Sequence, residues 1–140
     1  MRVTDTTGTS AGAVFETLLQ HYLPQFGGTV TVVCRDATLK AFETEGMELQ
    51  ALLHRSAAAH DYVLVIRSGL RNAAKVACHE FAHLLQYESG DLSLDIAAGT
   101  FSWQGCIYGP EYPYESRPWE SEAFFREREF YKYYRRSNAI

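Results

Sequence analysis

The chain has little of what several classes of protein need. Its three cysteines, Cys34, Cys78 and Cys106, are odd in number and show no C-x-x-C spacing, which argues against a disulfide framework and against a thiolate metal site. No stretch approaches the roughly 20 consecutive apolar residues that cross a bilayer. The Thr-, Ser- and Gly-rich start, Met1 to Gly12, lacks the apolar core of a signal peptide. A cytoplasmic location without a membrane partner is therefore the expectation. Positive charge is in the minority, and a formal net charge of −4 sets up no global field toward nucleic acid, so no such partner is expected. Histidine is scarce as well: all five, His21, His54, His60, His79 and His83, lie before residue 84.

What remains is the composition of an ordinary globule, 46% hydrophobic and 21% charged, with a generous 14% of aromatics. The 140 residues suit one domain, 1–140, with residues 1–10 expected to be a flexible leader. Apolar residues at helical spacing (Val14, Leu18, Leu19, Tyr22) predict a helix over 13–22, closed by Pro24. The β-branched run 29–34 after Gly27-Gly28 predicts a strand. Residues 36–54 read as a helix capped by Asp36 and interrupted at Gly46. The nearly continuous β-formers of 62–67 predict an inner strand, and a long helix follows over about 71–87, ended by Ser89-Gly90. Alternating apolar residues in 100–108 suggest one arm of a hairpin. A Pro- and Tyr-rich loop, 109–117, leads to a last helix from Pro118 to about Arg136. Helices and strands mix without regular alternation, so the fold class is α+β: a small mixed sheet packed with helices, its cleft expected between the two C-terminal helices.

The segment that carries chemistry is His79-Glu80-Phe81-Ala82-His83. At about 100° per residue the two histidines sit some 40° apart, one turn above the other, so both imidazoles can bind one zinc ion. Glu80 lies on the flank of that face, within reach of a water held there. Chance matches are scarce, on the order of 0.01 in a shuffled chain of this composition. Ala77, Phe81, Leu84 and Leu85 supply a buried side, and Cys78 points toward it as a small core residue.

A hydrolytic zinc centre has three protein ligands and one open position. No histidine lies downstream to be the third ligand, and the metzincin position is Ser89. A carboxylate is left: Asp91, Asp95, Glu111, Glu115, Glu120 and Glu122 qualify by type. Glu120 and Glu122 stand out because they open a helix after a loop, but they sit about 200° apart, so only one can face the metal.

His79-Glu-Phe-Ala-His83 followed by Pro118-Trp-Glu-Ser-Glu122-Ala123 resembles the gluzincin arrangement, in which the third ligand is a downstream helical Glu often followed by Ala. Together with Trp103-x-Gly105-x-x-Tyr108, the segment is similar to small H-E-x-x-H proteins of bacteria and bacteriophages. The resemblance covers roughly the C-terminal half, implies a minimal zincin-like domain of bacterial or phage type, and makes Glu122 the ligand with Glu120 in reserve. One departure is visible: where larger gluzincins place an Asp four residues after the ligand Glu, this chain has Arg126, so the groups that orient the histidines must differ.

The expected activity is zinc-dependent hydrolysis of a peptide or amide bond, with one Zn2+ per chain, Glu80 as general base and a peptide or protein as substrate. Tyr108, Tyr112, Tyr114 and Arg117, in the loop before the last helix, are candidate oxyanion or substrate contacts. The aromatic and basic last helix could dock a protein partner. The rival expectation is a non-catalytic protein, such as a phage assembly component, that keeps a closed zinc site to hold its fold.

Overall fold

The structure, a computed structural model, describes residues 2–43, 48–56, 60–95 and 97–138. Two layers position the site. The larger sheet has the order β1-β2-β4-β3: β1 (Val3–Asp5), β2 (Thr29–Cys34) and β4 (Asp61–Ile66) are parallel, and β3 (Ala51–Arg55) runs antiparallel on the edge. The segment expected to be a flexible leader thus supplies a strand, Val3 opposite Val30, with Val3 buried. Its turn into α1 (Ala11–Tyr22) is tied by Asp5, whose carboxylate accepts from the N–H groups of Thr7 (2.7 Å) and Gly12 (2.8 Å). Gly28 precedes β2 because a Cβ there would stand 1.6 Å from the carbonyl oxygen of His60.

The helix expected over 36–54 is corrected. Only α2 (Asp36–Ala41) is helical, and Ala51–Arg55 is strand β3; Gly46, the expected interruption, lies outside the described residues. Ala-Leu-Leu-His is good helix-forming sequence, but pairing with β4 buries Leu53 opposite Leu64, and that burial overrides local propensity. Asp36 is not the cap: Arg35 occupies that position, and the Asp36 carboxylate accepts from the backbone N–H of Ser68 at 3.0 Å.

A second sheet, β5-β6-β7, is wholly antiparallel: β5 (Leu92–Asp95), β6 (Thr100–Trp103) and β7 (Cys106–Tyr108). Residues 100–108 therefore hold both arms of a hairpin, joined by Gln104 and Gly105 in the left-handed region. The core lies between the larger sheet and three helices, α1, α3 (Ala73–Ser89) and α4 (Pro118–Ser137). Phe81 knits them together, meeting Phe15 of α1 and Phe130 of α4 edge-to-face at 5.5 and 5.2 Å. Gly90, with φ of 83°, ends α3 in a left-handed cap whose N–H bonds the carbonyl of Tyr87. Among the described residues no helix is long and apolar enough to cross a membrane.

Candidate metal centre

α3 carries two polar stripes through an otherwise apolar helix. His79, His83 and Gln86, at i, i+4 and i+7, face α4, while Glu80 and Tyr87 face β3. The other side, with Ala77, Cys78, Phe81 and Leu84, is fully buried; Leu85 is only half-buried. Cys78 is a core residue, its thiol pushed up to about 12 by burial and by the nearby Glu127.

The carboxylate that meets the histidines belongs to Glu120. Its Oε1 lies 2.9 Å from His79 Nε2 and 3.1 Å from His83 Nε2, and the three donor atoms lie within 4.8 Å of one another. Glu122, favoured by the gluzincin resemblance, sits instead beside Gln86, accepting from its Nε2 at 3.0 Å. The choice follows from how α4 packs. Trp119, Ala123 and Phe130 are buried, and Glu120 lies on the flank of that stripe, whereas Glu122 is about 200° round the helix from Glu120. Glu127, two turns beyond Glu120, shares its face, and its Oε1 is 3.0 Å from His79 Nδ1. Four residues after Glu120 stands Phe124, whose ring packs 4.5 Å from that of His79. Arg126, at the position of departure, turns away to Phe130 and Glu129.

Every outer nitrogen is held. His83 Nδ1 is 2.7 Å from Gln86 Oε1, and the orientation of that amide is set because its Nε2 donates to Trp119 O and Glu122 Oε1, both at 3.0 Å. Nδ1 of His83 must then be the protonated nitrogen, and Nδ1 of His79 donates likewise to Glu127. In the neutral tautomer this leaves two Nε2 lone pairs pointing at a carboxylate oxygen. Three lone pairs converging in a buried space repel one another unless a cation stands among them. Without a metal that cation can only be protons. Burial by itself would lower the pKa of His79, but hydrogen bonds to Glu120 and Glu127 more than reverse this and raise it to about 10. His83 rises in the same way, against burial, through the charge and hydrogen bond of Glu120. Glu120 is held well below the usual carboxylate range, since the two imidazoles outweigh its burial. The donor set of two imidazoles and one carboxylate can thus hold a metal ion.

Comparison of the chain with protein-family models, curated proteins and solved structures found no match. The site has to be read from its own geometry.

Glu80 is buried yet is not one of the three converging donors. Its Oε1 accepts from the N–H of Leu53 on β3 at 3.1 Å, and burial raises its pKa despite the two histidines. The cleft is bordered by α3 and α4, as expected, but β3 forms part of its wall as well. It opens along the β3 edge as two cavities of about 370 and 580 Å3 that share Leu49, Ala51, Glu80 and Tyr114. Of the four expected oxyanion or substrate contacts, one reaches the centre: Tyr114 donates its hydroxyl to Glu120 Oε1 at 3.0 Å. Its pKa is raised by burial and by Glu120 and Glu80, so it stays a donor. Arg117 lines the larger cavity. Tyr108 and Tyr112 pack on each other, Tyr108 also on Trp119, away from the histidines. Gln86 and Glu127 were not anticipated. The signal for each was periodic: Gln86 continues the His79–His83 stripe, and Glu127 lies seven residues after Glu120.

Proposed function

We propose that the protein is a zinc-dependent hydrolase of peptide or amide bonds, with His79, His83 and Glu120 as metal ligands and Glu80 as general base. One observation carries the reading: two histidines and one carboxylate converge, no further His, Cys, Asp or Glu joins them among the described residues, and a buried carboxylate stands beside them at the junction of two cavities. Zinc at such a centre supplies Lewis acidity toward a water and toward the carbonyl under attack. The chain's own groups do the rest. Glu80 Oε1 is steadied by the Leu53 N–H, and its raised pKa suits a carboxylate that must accept a proton and later release it to the leaving nitrogen. The phenol of Tyr114 remains protonated and can donate to negative charge developing on the carbonyl oxygen. Gln50 and Ser56 make backbone bonds to the β4 side, so Ala51 in between turns its backbone toward the cleft, where an extended peptide could lie.

A structural zinc site would be expected to close with a fourth protein ligand; among the described residues no further His, Cys, Asp or Glu joins the three, which favours catalysis, although the loop after Tyr112 does reach the centre through Tyr114. The test compares wild type with Glu80→Gln on a diverse peptide library and by elemental analysis. The expected result is one zinc per chain in both, with hydrolysis falling by about 10²–10⁴-fold in the variant. A wild type that binds no zinc, or cleaves nothing under conditions where zinc is bound, would refute the proposal.

A further inference from the structure

The larger cavity, about 580 Å3, holds a charged group that the proposed chemistry does not use. Arg117 is only 8% exposed, and its guanidinium lies among aromatic faces: Phe101 at 5.1 Å, Tyr114 at 5.7 Å and Trp119 at 6.0 Å. Its Nε donates to the carbonyl of Tyr112 at 3.1 Å. Among the described residues no carboxylate pairs with it, and no hydrogen bond reaches either terminal nitrogen. Those nitrogens are also not among the sealed, unsatisfied polar atoms of the interior, and the residue lines the cavity. A buried guanidinium without an anion is costly, whereas one fixed on aromatic rings is a preorganised fork for a carboxylate.

The fork's position says which carboxylate. Tyr114 spans the gap: its ring touches the guanidinium and its hydroxyl touches Glu120 at the metal centre. An anion on Arg117 is thus one aromatic ring away from the reacting position, the reach of a short stretch of extended peptide. The remaining walls are mostly apolar, with Leu92, Leu94, Phe101 and Trp119; the carboxylate of Glu43, also in the lining, is paired with Arg67. The geometry points to Arg117 as the anchor for the free α-carboxylate of a peptide whose terminal side chain is apolar, which makes the enzyme one that cleaves close to a carboxyl terminus. The inference rests on the hydrolase reading for its reaction and on Arg117 alone for its specificity. In that reaction water adds to the carbonyl carbon and the C–N bond breaks with its electron pair going to nitrogen. That nitrogen takes the proton carried by Glu80, leaving a shortened peptide with a new carboxylate and a free amine.

The test uses zinc-loaded Glu80→Gln protein, to prevent turnover, and N-acetylated pentapeptides ending in Phe, either as free acids or as C-terminal amides. Titration calorimetry should find the acid bound about 10- to 100-fold more tightly. Arg117→Gln should abolish that difference, and Arg117→Lys should restore only part of it. Equal binding of acid and amide would overturn the inference, and so would a preference that survives in Arg117→Gln, as it would if the carboxylate bound the metal. An amidated peptide with an internal Glu that binds as well as the free acid would overturn the terminal assignment by moving recognition to a side chain. Should Arg117→Gln not fold, Arg117→Lys and the acid–amide comparison with Arg117 intact, both in the Glu80→Gln protein, still decide. Acid–amide discrimination without hydrolysis of any peptide by Glu80-intact protein would sink the hydrolase and spare the anchor; hydrolysis without discrimination would do the reverse.

Discussion

Removing the Glu127 carboxylate should loosen the metal although Glu127 does not touch it. In the proposed centre His79 ligates through Nε2 and gives its Nδ1 proton to Glu127 Oε1, 3.0 Å away. The carboxylate fixes the tautomer, holds the ring plane and makes the opposite nitrogen more basic. Losing such a partner typically costs about 10- to 100-fold in metal affinity, or about 1.4–2.8 kcal/mol. The side chain is 19% exposed and borders the smaller cavity, so water can reach an orphaned Nδ1–H. Glu127→Gln can still present an amide oxygen and loses only the charge, which places it near the tenfold end; Glu127→Ala should fall nearer a hundredfold. The assay is a competition titration against a chromophoric zinc chelator. Wild-type affinity in Glu127→Ala would refute the reasoning, because His79 would then need no carboxylate to orient it.

The other predictions concern the ligand, pH and the core. Glu120→Gln should weaken zinc far more than Glu122→Gln in the same titration, and the reverse ranking would return the ligand role to Glu122. In metal-free protein the raised pKa of His79 stabilises the fold fully below its ordinary value of 6.5 and is lost as pH rises toward about 10. Melting temperature with chelator should therefore fall over that window, whereas the extra stability conferred by zinc, which displaces those protons, should grow. A chelated protein that melts higher at about pH 9 than at about pH 6.5 would contradict the charged imidazoles. Phe81→Ala, at the junction of three helices, should cost about 3–5 kcal/mol in denaturant unfolding, and a loss below about 1 kcal/mol would show that the helices do not share one packed core.

Local pattern by itself determined the parts of this protein whose physics is local. The H-E-x-x-H spacing sets two imidazoles one turn apart on any helix, and the β-branched runs of β2 and β4 and the Pro118 start of α4 matched what their residues prefer. Tertiary structure decided what depends on distant partners. Ala51–Arg55 became a strand because β4 offered an edge, and Val3–Asp5 because β2 offered the other. Glu120 rather than Glu122 faces the histidines because burial of Trp119, Ala123 and Phe130 fixes the rotation of α4, and a two-residue difference in sequence is about 200° around a helix. Gln86, Glu127 and the guanidinium of Arg117, unpaired among the described residues, acquire their roles only when α3, α4 and the loop before it come together. A hydrogen bond or a missing counter-ion belongs to a pair of residues, and which pairs meet is a property of packing.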